Sequence, residues 1–120
     1  MAQSYERLRF APAVQSHGHL FLTGMTGSLP DGQMPHLPED QFHAAFAKIA
    51  EILNEAGVDM SAIVEMTTYH VDLQKHFDAF DRVRKTYVQD PFPAWTAVEV
   101  AGLRRSRALV EIRVIARANQ

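Results

Sequence analysis

Three charged residues in the last quarter of the chain have side chains and spacing suited to chemistry. Glu111 and Arg113 stand two residues apart, and Glu99 lies twelve residues earlier. A carboxylate in a partly buried crevice can act as a general base, because desolvation raises its pKa toward neutrality. An arginine beside it can hold a substrate carboxylate with two parallel hydrogen bonds. The alternative is a structural ion-pair network at a subunit interface.

The elements that must position these residues follow from the hydrophobic spacing. We predict an extended lead-in over residues 6–15 and strands over 19–23, 63–71, 95–101 and 108–116. A helix is expected from about Pro38, with Gly57 as its C-cap. A second helix is expected from about Gln74 until Pro91 and Pro93 stop it. The apolar stripes of the two helices are formed by Phe42, Ala45, Phe46, Ile49, Ile52, Leu53 and Ala56, and by Phe77, Phe80, Val83 and Tyr87.

This order of strands and helices indicates one α+β domain over residues 1–120, with both helices on one face of a mixed sheet. The last two strands are predicted to pair as a hairpin through a turn that contains Gly102 and Ser106. Strand alternation then separates two faces. The face expected against the helices carries Val98, Val100, Val110, Ile112 and Val114. The opposite face is expected to carry Trp95, Ala97, Glu99, Leu109, Glu111, Arg113 and Ile115.

That opposite face mixes large apolar groups with charges. If it were open to water, Trp95, Leu109 and Ile115 would form an exposed apolar patch, and such patches often mark interfaces. We therefore predict that copies of the chain pack through this face and leave its charged groups lining a crevice.

The composition excludes several classes of function. The 120 residues include no cysteine, so thiolate catalysis and cysteine-ligated metals are excluded. The formal net charge is −2, and the short run Arg104, Arg105 and Arg107 is too small to be a nucleic-acid footprint. The six histidines lack ligand spacing, so no metal is expected. The N-terminus lacks an apolar signal region, and no apolar run is long enough to span a membrane, so a cytoplasmic protein is expected.

The C-terminal segments resemble a known family. Residues 92–103 read FPAWTAVEVAGL, and residues 108–116 read ALVEIRVIA. These are similar to the C-terminal signature of the YjgF/RidA family, which runs roughly FPARSxVEVAxL and then VEIEAIA. Further segments agree with the family pattern: residues 12–14, 20–24, 55–57, 72–73 and 77–81. The resemblance covers nearly the whole chain.

The resemblance implies a chorismate-mutase-like fold and a homotrimer with three clefts between subunits. It also implies cofactor-free hydrolysis of reactive enamines or imines, such as 2-aminoacrylate, to a keto acid and ammonia. Glu111 stands at the family's water-positioning glutamate, and Glu99 matches the glutamate of VEV. Thr23 stands at a pocket serine. Ala13 replaces a pocket tyrosine of many members, and Asp81 replaces an asparagine.

The main departure is Trp95, which occupies the place of the carboxylate-binding arginine. Losing a charge-assisted contact of that kind costs about 2–5 kcal/mol. The substrate is therefore expected to differ from 2-aminoacrylate and to suit an aromatic wall. Arg113 is considered as a replacement cation from a neighbouring strand.

Three functions are considered. The first is a hydrolase or deaminase of enamines, imines or related small molecules, in which Glu111 positions water. The second is a non-catalytic trimer that binds a metabolite or partner in its clefts. The third and weakest is an endoribonuclease, because no basic groove is visible in the sequence.

Overall fold

The computed structural model describes residues 6–119, in which five strands form one mixed sheet. The strands are β1 (Ala13–Ser16), β2 (His19–Leu22), β3 (Ile63–His70), β4 (Ala94–Glu99) and β5 (Val110–Arg117). Their order across the sheet is β1-β2-β5-β3-β4. The helices are α1 (Pro38–Glu55) and α2 (Leu73–Tyr87), and a short 3-10 turn covers Met60–Ala62. The predicted order of elements is confirmed, although residues 6–8 are helical rather than extended.

Each helix begins and ends where local chemistry requires it. α1 begins at Pro38, whose fixed φ suits a first turn, and Glu39 and Asp40 complement the helix dipole there. Its end is followed by Gly57 at φ 86°, a backbone conformation that favours glycine. α2 begins where the Glu99 carboxylate accepts a hydrogen bond of 3.0 Å from the backbone N–H of Leu73.

The core lies between the sheet and the two helices. Phe42 of α1 meets Phe80 of α2 edge to face, with ring centroids 5.4 Å apart. Both rings are fully buried, as expected for apolar stripes that face a sheet. The sheet contributes Leu20, Leu22, Met66, Val110, Ile112 and Val114. Neither helix in residues 6–119 is long and apolar enough to cross a membrane.

The predicted hairpin between the last two strands is wrong. β3 lies between them, pairing antiparallel with β5 and parallel with β4. The residues between Glu99 and Val110 therefore span a neighbouring strand instead of making a tight turn. The parallel strands β3 and β4 are joined by the crossover through α2, and the hairpin was predicted because β4 and β5 follow one another in sequence.

The assignment of sheet faces is wrong in β4 as a consequence. Alternation holds within each strand, but Trp95 pairs with the buried Met66 and so faces the helices, while Val98 pairs with Tyr69 on the opposite face. In β5 the assignment is confirmed, because Val110, Ile112 and Val114 are buried. Because β4 and β5 are not paired, the face that the side chains of one strand occupy does not determine the face that the side chains of the other strand occupy.

Trp95 anchors β4 against α2. Its indole stacks on Phe77 with centroids 6.0 Å apart, and its Nε1–H donates to Thr68 Oγ1 at 3.0 Å. The Arg84 guanidinium carbon lies 4.1 Å from the ring centroid. This geometry gives the tryptophan a packing role on the helix side of the sheet.

His70 is an ionisable group in the core behind this anchor. Its Nε2 lies 2.8 Å from Thr68 Oγ1, and its ring packs edge-on against Phe80. Its Nδ1 has no hydrogen-bond partner within residues 6–119. Burial disfavours the imidazolium and lowers the pKa of His70 from 6.5 to about 4.

Because the pKa of His70 is lowered in the folded protein, the free energy of unfolding is expected to decrease in acid. His70 binds a proton more readily in the unfolded chain than in the folded protein. The contribution of neutral His70 to the free energy of unfolding is therefore complete above about pH 6.5 and is lost as the pH falls towards about 4. The loss amounts to about 3 kcal/mol of unfolding free energy. Urea unfolding of the parent and His70→Leu across this range should show a shallower pH slope for the variant, with exposed His36→Leu as control. Equal slopes for the parent and His70→Leu would contradict this role.

Candidate functional site

A cleft of about 530 Å³ opens where β2 ends and β5 begins. The segment that follows β2 crosses beside β5, and the backbones of Met25 and Ile112 exchange two hydrogen bonds of 2.8 and 2.9 Å. This bridge holds the segment 23–28 against the strand that carries Glu111. The cleft is lined by Leu8, Phe10, Thr23, Gly24, Met25, Thr26, Ser28, Lys48, Arg104, Arg105 and Glu111.

The carboxylate of Glu111 lies directly over Gly24. A β-carbon at position 24 would come within 2.5 Å of Glu111 Oε2, so the position has room only for glycine while the carboxylate stays in place. Glu111 is half-buried and makes no ion pair or side-chain hydrogen bond within residues 6–119. Its oxygens are therefore free to accept from a water or a ligand.

Thr23 lines the same cleft. Its hydroxyl donates a hydrogen bond of 2.6 Å to the carbonyl oxygen of Ala11, which ties the chain before β1 to the cleft wall. The hydroxyl hydrogen is thus engaged, and the remaining lone pair of Oγ1 can accept from a ligand.

Sequence reasoning missed the cationic side of the cleft. Lys48 of α1 donates from Nζ to Ser28 Oγ at 3.1 Å. Burial lowers the pKa of Lys48, and the nearby Arg105 lowers it further. Lys48 lies among the apolar positions of α1, and Arg105 falls in a run interpreted as a solvated turn. No motif connected these residues, because their proximity depends on tertiary packing.

The remaining predicted site residues lie elsewhere in the subunit. Trp95 and Glu99 are on the helix side of the sheet, beside α2. Asp81 of α2 accepts hydrogen bonds from Arg84 Nε and Nη2 at 2.8 and 2.6 Å. Burial acts to raise the pKa of Asp81, but hydrogen bonds from Arg84 and Lys85 outweigh it and hold that pKa below its ordinary value.

Arg113 and Ala13 also lie outside the cleft lining. Arg113 is exposed on the same sheet face as Glu111 and pairs with Thr67 of β3. Ala13 is half-buried in β1 and packs against the core. The predicted single face with Trp95, Glu99, Glu111 and Arg113 is therefore wrong. The cause is the wrong assignment of sheet faces in β4.

The protein is of the α+β class, with two helices on one face of a mixed sheet and a cleft where β2 ends and β5 begins. A sequence model described as Endoribonuclease L-PSP matches residues 3–118. The chain belongs to that family, which is the YjgF/RidA family indicated by its C-terminal motifs.

Individual relatives agree over most of both chains. The chain is 32% identical over 114 residues to the RutC family protein YjgH of Escherichia coli, covering 94% of this chain and 86% of that protein. It is 33% identical over 109 residues to a mouse protein named 2-iminobutanoate/2-iminopropanoate deaminase, covering 89% and 79%. A solved structure of a protein named YJGH superposes with a TM-score of 0.86 at 32% identity, covering 97% and 88%.

The contact between Gly24 and Glu111 predicts a selective effect of a small substitution. Gly24→Ala should displace the Glu111 carboxylate and reduce any turnover at this cleft by about tenfold or more, because catalytic groups tolerate little misplacement. Stability should change little, since the far end of a flexible side chain is what must move. Turnover and melting temperature should be compared with Gly102→Ala, where the added carbon meets nothing within 4 Å. Full activity in Gly24→Ala would contradict the expected water-positioning role of Glu111.

Proposed function

We propose that the protein is a cofactor-free hydrolase that deaminates reactive enamines, imines or related small molecules in this cleft. The observation that carries the proposal is the unpaired Glu111 carboxylate, held over Gly24 inside a cavity large enough for a small metabolite. A relative named 2-iminobutanoate/2-iminopropanoate deaminase supports the same reaction class.

We place the protein in the cytoplasm.

In the proposed reaction, water adds to the imine carbon and the nitrogen leaves as ammonia. Glu111 accepts a proton from the water as it adds and passes that proton to the imine nitrogen, which gives a carbinolamine. Glu111 then accepts the hydroxyl proton of the carbinolamine and passes it to the amino nitrogen, so the C–N bond breaks, the carbonyl forms and the carboxylate is regenerated. Thr23 accepts a hydrogen bond from the substrate or the water. An enamine must first take a proton at carbon to become the imine.

The substrate is proposed to differ from 2-aminoacrylate, because position 95 carries no cation. The Trp95 indole is fixed by Thr68, Phe77 and Arg84. Five further residues do not line the cleft of their own subunit and are proposed to bind substrate only where a neighbouring subunit brings them to the cleft. They are Trp95, Glu99, Asp81, Arg113 and Ala13.

We also propose that the chain forms a homotrimer with its clefts between subunits. The sheet face away from the helices carries Val14 and Phe21, which are 55% and 36% exposed. Phe21 pairs with Ile115 in the register of β2 and β5, so the apolar groups are contiguous. An exposed apolar strip of this kind suits a subunit interface.

The role of Glu111 is tested by its amide variant. Glu111→Gln should lower kcat for hydrolysis of freshly generated 2-iminopropionate and bulkier imines by about 10²-fold or more, since the general base is lost. Glu39→Gln is the matched control, because this carboxylate is exposed on α1 and does not line the cleft. Equal activity of the parent and Glu111→Gln on a turned-over substrate would refute the mechanism.

The trimer is tested by light scattering on a size-exclusion column. The parent should have three times the mass of one chain, and Phe21→Asp should dissociate it, because a charge would be buried at the interface. Leu37→Asp, at an exposed apolar position before α1, should leave the mass unchanged. A monomeric parent would contradict the trimer.

A non-catalytic binding trimer is the second candidate. The fixed indole at position 95 favours it, since the cation that the family's usual chemistry needs is missing there. Saturable ligand binding in the cleft with no turnover of any imine would select this function over the hydrolase. The endoribonuclease activity in the family's description gains no support from the net charge of −2.

A further inference from the structure

The cleft that holds Glu111 carries an excess of positive charge. Lys48, Arg104 and Arg105 line it, whereas Glu111 supplies the carboxylate among the described lining residues. None of the three cations forms an ion pair with a carboxylate within residues 6–119. The cleft wall therefore carries three cations and one carboxylate around an open cavity.

Lys48 is the most constrained of these cations. It is half-buried, and its ammonium donates to Ser28, whose side chain is in turn bonded to Thr26. Ser28 and Thr26 are only 8% and 7% exposed. Because Ser28 Oγ accepts from Lys48 and Thr26, its own hydroxyl hydrogen remains available to an anionic oxygen.

Holding a partly desolvated ammonium near a guanidinium is unfavourable for the empty protein. Burial and the repulsion from Arg105 both act against the charged form of Lys48, as its lowered pKa shows. An anion bound between these groups would relieve both effects, because it supplies the opposite charge and the hydrogen-bond acceptors that water supplies poorly there.

We propose that this cleft holds the anionic group of its ligand, a carboxylate or a phosphate, through Lys48 and Ser28, with Arg105 as a second cation at the mouth. The proposal rests on the proposed function for the identity of the cleft and adds the residues that hold the ligand's anionic group. Its anion is held at α1, and its reacting carbon lies toward Glu111. Position 95 then needs no cation of its own.

The test is binding, measured separately from turnover. Pyruvate and inorganic phosphate are titrated into the parent protein by calorimetry and by thermal shift, with ionic strength held constant. At least one should bind and raise the melting temperature. Lys48→Met should weaken that binding about tenfold or more, because a charge-assisted contact is lost. Lys75→Met, at an exposed lysine of α2 away from the cleft, should bind like the parent.

Further variants separate the outcomes. Without any anion, Lys48→Met should be as stable as the parent or more stable, since an unfavourably buried charge is removed. Glu111→Gln should keep or strengthen binding while turnover falls, so a failure of the catalytic proposal is distinguishable from a failure of the anion site. Preference for pyruvate would assign a carboxylate, and preference for phosphate a phosphate. No binding of either probe, or equal weakening in Lys48→Met and Lys75→Met, would overturn the proposal.

Discussion

The cleft depends on how the loop after β2 is fixed in place. Two backbone hydrogen bonds between Met25 and Ile112 attach this loop to the start of β5. A side chain at Gly27 would collide with the backbone of α1 at Gln41, so the loop also lies directly against the helix. These two attachments set Gly24 beneath Glu111 and Ser28 beside Lys48.

Gln41 completes the same framework. It is buried, its amide nitrogen donates to the carbonyl oxygens of Pro35 and Arg107, and its side-chain oxygen accepts from the N–H of Leu109. One side chain thus ties the start of α1 to the crossover that carries Arg105. Because buried amides must satisfy their hydrogen bonds, Gln41 helps to fix the cationic side of the cleft, as the bridge between Met25 and Ile112 fixes the carboxylate side.

The sequence predicted the elements well and the site only in part. Both helices and the strands fall close to their predicted places because periodicity and proline or glycine signals are local. The wrong assignment of sheet faces concerned β4, whose parallel neighbour β3 is distant in sequence. Glu111 and Thr23 line one cleft of the subunit. Lys48 and Ser28 were missed because a lysine beside the apolar stripe of a helix and a serine in a loop give no sign of what packs against them.

The position of Trp95 gives a physical reason for a changed ligand. Its indole stacks on Phe77 and supports the Arg84 guanidinium, which Asp81 holds in turn. A tryptophan used in this way stabilises the junction of β4 and α2. The charge that recognises a ligand is then left to other residues, and the cleft beside β5 has cations in excess.

The most direct measurement is a two-dimensional NMR titration of the assigned protein with the probe anion that binds best. An anion held by Lys48 and Ser28 should give saturable shifts concentrated at the backbone amides of Gly24 and Ser28 and at the Lys48 side chain. Shifts confined to the helix side around Arg84 and Trp95, with none at Gly24 or Ser28, would contradict it.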